Sequence, residues 1–317
     1  MNYMILDIVR IKLLILVAIS ASFFSVSAVY AGIYQWKDEN GKIHFSDDAP
    51  KNHASQNIEE KINSRINLFS DSVNAQQKKV TDEFFQSLRA ADPVKPELFL
   101  VTFAGDAKQK VFMRETLYIQ DLFKKNYAVE GHSVALVNHA SATSKYLVAS
   151  DENLALVLKE YGKIMEEKDV LYLYLTSHGS RKHKLSVDFP PYAVKDFGPE
   201  EIRQMLDDAG IKWRIIVVSA CYSGGFVEPL ASPDTLIATA SDAVSTSFGC
   251  ADDRDFTYYG EAIFKNLMSS GLGLVRALDE ARNEVYRMEV EKNTPHHSNP
   301  QFWVGDEIHK KLSTLSL

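Results

Sequence analysis

Two apolar runs in this chain stop at side chains that can do chemistry. LYLYLTSHGS ends its apolar stretch at His178, and RIIVVSACYSGG ends at Cys221. A cysteine thiolate is a strong nucleophile, and a histidine beside it can take up its proton. The attacked carbonyl gains negative charge, which the backbone N–H groups of Gly179 and Cys221 are placed to receive. Glycine after the histidine lets backbone approach a substrate closely. Tyr-Ser-Gly-Gly after the cysteine reads as a flexible turn. The histidine would then protonate the leaving amine. These residue types point to cysteine–histidine hydrolysis of acyl or peptide bonds. Each half alone is weaker, because strand-end histidines often bond only to backbone and a buried cysteine is commonly an inert small hydrophobe. The chain has two cysteines, Cys221 and Cys250. In an exported protein a disulfide between them is the competing reading.

Positioning such a pair requires two neighbouring strands. From Glu97 onward apolar runs recur at 98–103, 132–138, 169–176, 214–220 and 235–240. Helical patterns lie between and after them, at about 110–126, 151–165, 199–209, 258–270 and 272–290. Near-continuous apolar strands alternating with amphipathic helices indicate an α/β fold with a mostly parallel sheet covered on both faces. Ligands of such sheets bind beyond the carboxyl ends of the strands. His178 and Cys221 both stand there, so adjacent strands would bring them to one rim.

The 317 residues allow one large domain with extras. A composition of 45% hydrophobic and 24% charged residues excludes wholesale disorder and a multi-span membrane protein. The net charge of −7, with no basic stripe, argues against a nucleic-acid partner. Arg10 and Lys12 precede LLILVAISASFFSVSAVYAG, so residues 1–31 read as a signal peptide, with an uncleaved inner-membrane anchor as the alternative. Residues 32–50 read as a small β-hairpin module, with aromatic alternating segments around an Asn-Gly step. Residues 51–96 are polar and helix-compatible, with Ile58, Ile62, Ile66 and Phe69 as the apolar stripe and Pro93 and Pro96 as the stop. They read as a connector, or as a pro-segment over the cleft. Residues 97–317 read as one domain that carries the cysteine–histidine pair. His132 and His139 read as structural, His183 as part of a basic surface loop flanking the cleft, and His296-His297 as a solvent loop. No metal site is indicated.

Taken in order, LYLYLTSHGS, IIVVSACYSGG and IATASDAVSTSFGC resemble the legumain-type cysteine peptidases, and SFGCADDRDFTYYGEAIF is similar to their bacterial branch. The resemblance covers about residues 97–305. It implies a caspase-like α/β/α sandwich, a peptide or protein substrate and no cofactor. His178 matches the family's catalytic histidine and Cys221 its nucleophile. Arg114, Ser247 and Glu261 match groups lining the pocket for the P1 side chain. Arginine would donate to an amide oxygen there, and a carboxylate would accept from its nitrogen. Departures are Ser219-Ala220-Cys221-Tyr222 in place of Glu-Ala-Cys-Glu, which removes an acidic group of the pocket wall, Phe112 in place of an asparagine, and Glu115 in place of a histidine. They leave P1 open between Asn, Asp and another polar residue. Asp252, Asp253 and Asp255 would favour a basic P1, or are a solvated acidic loop. Cys250 is expected to be a free, non-catalytic thiol. The module at 32–50 is similar to one found in bacterial envelope proteins, through Tyr34, Trp36, Asp38, Gly41, Phe45, Ser46 and Asp47.

The expectation is therefore a periplasmic cysteine endopeptidase with possible cell-envelope contact through the N-terminal module. A transpeptidase or transamidase using the same acyl-enzyme, and a non-catalytic peptide-binding envelope protein, are the alternatives.

Overall fold

The computed structural model describes residues 74–313 and Leu315, apart from Pro191 and Ala193, with the backbone of three short strands nearer the N-terminus. Residues 1–31, the Asn40-Gly41 turn and the stripe from Ile58 to Phe69 lie outside the described residues. The chain divides into two units, Met1–Asn67 and Leu68–Leu317. In the first, β1 (Tyr34–Lys37) pairs antiparallel with β2 (Ile43–Ser46), from Tyr34 opposite Ser46 to Lys37 opposite Ile43. The other edge of β1 pairs with β3 (Gln56–Asn57), a strand the sequence pattern does not announce.

In the second unit the apolar runs become β4 (Leu98–Ala104), β5 (Ser133–Val137), β6 (Val170–Thr176), β7 (Trp213–Ser219) and β8 (Thr235–Thr239). They form a parallel sheet in the order β5-β4-β6-β7-β8, closed at its far edge by antiparallel β9 (Gln301–Val304). Every residue of β4 and β6 is buried, as strands covered on both faces must be.

The faces are covered by helix α1 (74–87), α2 (Lys110–Tyr127), α3 (Asp151–Ile164), α4 (Pro199–Asp208), α5 (Leu274–Glu291) and α6 (Asp306–Ser313). Alternate side chains of each strand divide the core. Phe99, Val101, Phe103, Leu171 and Leu173 pack with Phe84 of α1, Leu158 and Tyr161 of α3 and Ile202 of α4. Leu100, Tyr172, Tyr174 and Val217 pack on the other face with Ile119 and Phe123 of α2, Leu278 of α5 and Ile308 of α6. The second unit is thus an α/β/α sandwich. Local signals start its helices. Ser150 caps α3 by accepting from Asn153 N–H at 3.1 Å. Pro199 opens α4, where Glu201 reaches back to Gly198 N–H at 3.0 Å.

Helix α1 belongs to this core. Val80 and Phe84 are buried. Gln77 donates to the Thr143 and Tyr146 carbonyls at 2.8 and 3.0 Å and accepts from Val148 N–H at 2.8 Å. Three of its four amide positions are satisfied by backbone of the segment that follows β5. Where the sequence suggests one helix at 258–270, the chain makes a turn of α-helix at Tyr258–Gly260, a π-helical stretch at Glu261–Leu267 and a 3₁₀ turn at Met268–Ser270. Among the described residues no helix is long and apolar enough to cross a membrane.

Candidate active site

The pairing of β6 with β7 sets the rim. Thr176 stands opposite Ser219, and Ser177 N–H continues the ladder to the Ser219 carbonyl at 3.3 Å. His178 and Cys221 each follow this last pair by two residues, so they leave the sheet at the same level. Gly179 lies against Cys221 so closely that a Cβ would overlap the cysteine's carbonyl oxygen. It faces Leu185 across an antiparallel bridge. The flanking bonds run from Ser186 N–H to His178 O at 2.8 Å and from Ser180 N–H to Lys184 O at 3.0 Å. Gly179 is therefore the non-hydrogen-bonded member and directs its own N–H and C=O away from Leu185. The His178 ring meets the buried Phe112 of α2 edge to face, centroids 5.2 Å apart and planes at 85°. Phe112, a departure at the level of sequence, thus packs on the histidine.

Cys221 is partly exposed, and Ser247 is its neighbour. Ser247 N–H points at Sγ from 3.3 Å, Ser247 Oγ lies at 3.7 Å, and the thiol reaches the Ser247 carbonyl at 3.8 Å. An N–H directed at sulfur complements negative charge there. The next residue, Tyr222, is left-handed at φ 57, a conformation that costs a residue with a Cβ about 1 kcal/mol. It is held by its N–H to Ser245 O at 2.9 Å and by its carbonyl, 3.1 Å from His183 Nδ1. The Arg181 guanidinium sits 5.7 Å from its ring centre. Beyond it the chain makes a 3₁₀ turn at Ser223–Phe226 rather than a loose turn. Buried Ser223 and Ser241 lock that turn to the end of β8. Ser223 N–H donates to Ser241 Oγ and Ser241 N–H to Ser223 Oγ, both at 3.1 Å, while Ser241 Oγ donates to Ala220 O at 3.2 Å.

The other candidates fall into two groups. Ser247 is at the sulfur. Arg114 and Glu261 are joined to each other through the loop 252–255. Arg114 Nη1 donates to the carbonyls of Asp252 at 2.8 Å and Arg254 at 3.0 Å. Glu261 pairs with Arg254 at 2.5 Å and with Lys265 at 3.3 Å. Among the described residues neither Arg114 nor Glu261 bonds to Cys221 or Ser247. Asp252, Asp253 and Asp255 are exposed, and Asp252 accepts from Lys110 N–H at 2.7 Å at the start of α2. Cys221 and Cys250 are both free, so no disulfide joins them. Burial, with a smaller contribution from Cys221, pushes the Cys250 thiol up to about 12, which leaves it inert at neutral pH.

Sequence reasoning missed the carboxyl beneath this rim. Glu115 is fully buried. Its Oε1 accepts from the hydroxyls of Tyr174 at 2.5 Å and Thr176 at 3.0 Å. Its Oε2 accepts from Thr257 N–H at 2.8 Å and the Thr257 hydroxyl at 2.9 Å. Thr257 Oγ1 in turn is 3.0 Å from Ser219 Oγ. Gly260 packs on the carboxyl with no room for a Cβ. Its partners lie 59 to 142 residues away, so no local spacing signals the cluster. His296 was also missed as a support. Its Nε2 lies 2.8 Å from Thr246 Oγ1, and its ring packs on Phe248 with centroids 4.8 Å apart and planes tilted at 45°, so it touches both neighbours of Ser247. His297 bonds to the buried Glu289 at 3.0 Å.

Desolvation pushes the Glu115 carboxyl from 4.5 up to about 7, against the pull of its four hydrogen bonds. Tyr172 and Tyr174 of β6 and Cys250 feel its charge, while Arg114 turns outward to the 252–255 loop. An acid with a raised pKa in the fold binds its proton more tightly there than when unfolded. Its stabilising contribution is therefore full below 4.5 and is lost as pH rises through about 7. A shift of this size corresponds to about 3 kcal/mol. Chemical denaturation of the unaltered protein and of Glu115→Gln between about pH 4.5 and pH 8 should give curves that diverge in favour of the glutamine variant as pH rises. Parallel curves would contradict this assignment.

The family model described as Peptidase C13 matches residues 146–308, just over half of the chain. A second, described as a domain of unknown function (DUF4124), matches residues 20–64. Among solved structures the chain is similar to caspase-1 from Spodoptera frugiperda. That match has 12% identity and a TM-score of 0.46, over 69% of this chain and 93% of that one. No curated protein matches the chain.

Proposed function

From the premise that this chain belongs to the Peptidase C13 family and is a cysteine-type peptidase, we propose that Cys221 and His178 carry the reaction. The observation that supports this reading is their common level beyond β6 and β7, with Gly179 fitted against Cys221. Cys221 Sγ attacks the scissile carbonyl carbon as its proton passes to His178. The carbonyl oxygen becomes an oxyanion, met by the N–H groups of Gly179 and Cys221. On collapse the C–N bond breaks, and His178 gives the proton to the departing amine. A thioester remains on Cys221. Water, deprotonated by His178, attacks it, and the acid product leaves as the thiol regains its proton.

The substrate is a peptide or protein with Asn, Asp or another polar residue at P1. Ser247 meets it beside the sulfur, Arg114 from α2 and Glu261 from the π-helical stretch, both next to the 252–255 loop. The protein is exported to the periplasm, a reading supported by Arg10, Lys12 and the apolar run that follows them. The N-terminal module makes its envelope contact. The test is a peptide library varied at P1, with products identified by mass with and without an added amine. Hydrolysis after Asn or Asp is the expected result. Capture of the acyl group by the amine would make the enzyme a transamidase instead. Cleavage only after Arg or Lys would overturn the P1 assignment.

A further inference from the structure

We propose that Glu115 is a positioning residue for the Cys221 thiol, acting through hydroxyl hydrogen bonds that run from Ser219 by way of Thr257 to its carboxylate. The inference rests on the reading of Cys221 as the nucleophile. With Glu115 ionised, as it is above about pH 7, the direction of the chain follows from counting hydrogens. The Thr257 hydroxyl donates its one hydrogen to Glu115 Oε2 at 2.9 Å and accepts Gly260 N–H at 3.0 Å. The 3.0 Å contact with Ser219 Oγ must then be donated by Ser219. Tyr174 and Thr176 donate to the other oxygen. Four donors converge on one carboxylate, an arrangement satisfied only when it accepts from all of them.

The carboxylate thereby fastens three parts of the fold. It sits on α2, takes Tyr174 and Thr176 from the end of β6, and takes Thr257 from the turn that holds Ser219 of β7. Thr176 precedes His178 by two residues, and Ser219 precedes Cys221 by two. The Ser219 carbonyl also receives Ser177 N–H, so its backbone and side chain are both fixed. Buried polar networks satisfied at every member rigidify what they join. Here they join the two strand ends that present the thiol and the imidazole. Gly260 leaves the carboxyl no room to shift toward the helix behind it.

The test is the rate at which iodoacetamide alkylates Cys221, followed by peptide mass spectrometry, with thermal unfolding measured alongside. It needs no knowledge of the substrate. Proteins compared are the unaltered chain, Glu115→Gln, Ser219→Ala and the double variant. Glutamine keeps the volume but turns a donor toward two hydroxyls, and alanine cuts the chain at its other end. Each single change should slow alkylation about tenfold. The double variant should be no more than about twofold slower than the worse single one, because both interrupt one chain. A purely structural carboxyl would lower the melting temperature and leave the Cys221 rate alone. Unaltered rates in folded Glu115→Gln, or losses that multiply in the double variant, would overturn the proposal. If Glu115→Gln does not fold, Thr257→Val cuts the same chain, and an unaltered rate there would overturn it equally. A Cys221 that reacts in the unaltered protein no faster than a free thiol would instead refute the nucleophile reading beneath it.

Discussion

Cys221→Ala is expected to remove peptide hydrolysis, lowering kcat by at least about a thousandfold, and His178→Ala by a similar factor. Alanine leaves nothing to form the thioester. In the proposed mechanism, losing His178 removes the base that takes the thiol's proton and the acid that protonates the departing amine. Because the two residues act as a unit, the double variant should lose no more than the worse single one. KM should change little, since neither side chain need hold the substrate's flanking residues. Both variants should remain folded. Cys221 is partly exposed, and the ladder beneath it, from Thr176 and Ser219 downward, needs neither side chain. Steady-state kinetics on the best peptide, with circular dichroism of each variant, checks this. Turnover retained in folded Cys221→Ala would place the chemistry elsewhere.

The second large effect is at Gly179. A Cβ there has no space, because the Cys221 carbonyl oxygen and backbone nitrogen lie against it. The cost cannot be relieved by a side-chain rotation, since the obstacle is backbone. Gly179→Ala must therefore move the strand ends apart. Overpacking of this kind costs about 1–3 kcal/mol of stability. Its effect on rate should be larger. A displacement of about 1 Å between reacting groups is worth roughly a hundredfold, and the N–H proposed to meet the oxyanion moves as well. The expected result is a fall in kcat of about a hundredfold or more with a modest drop in Tm. Equal activity in Gly179→Ala would show that the close approach to Cys221 has no catalytic role.

The parts of the fold that are legible in the sequence are those with a continuous local signal. The run at 98–103 becomes Leu98–Ala104, and that at 169–176 becomes Val170–Thr176, because strands buried on both faces are apolar throughout. The residues that break such runs, His178 and Cys221, announce themselves by ending them. Strand β9 does not. Its Gln301–Val304 is short and incompletely buried, so it reads as the tail of a loop. Helix α1 lies in a stretch that reads as helix-compatible, but its place in the core is hidden for another reason. Its buried face holds only Val80 and Phe84, and its anchoring comes from the polar Gln77.

Around the site the division is the same. Ser247 is in a recognisable stretch, and it does sit at the sulfur. Glu115 looks like a mere departure beside Arg114, because its meaning comes from Thr257, 142 residues on, and from Tyr174 and Thr176. Tyr-Ser-Gly-Gly looks flexible, yet Ser223 is buried and locked to Ser241, 18 residues away. His296 looks like solvent loop until Thr246 and Phe248 are brought to it. Tertiary hydrogen bonds of this kind carry no periodicity and no fixed spacing, so only the folded chain displays them.

The proposed mechanism stands on Cys221 being a nucleophile made reactive by His178. The most direct measurement is labelling of the unaltered protein with a cysteine-directed acyl mimic carrying Asn at P1, located by peptide mass spectrometry beside His178→Ala. A single adduct on Cys221 that disappears in the variant, with Cys250 untouched, is expected. Equal, slow labelling of Cys221 and Cys250, or labelling of Cys221 that persists without His178, would contradict it.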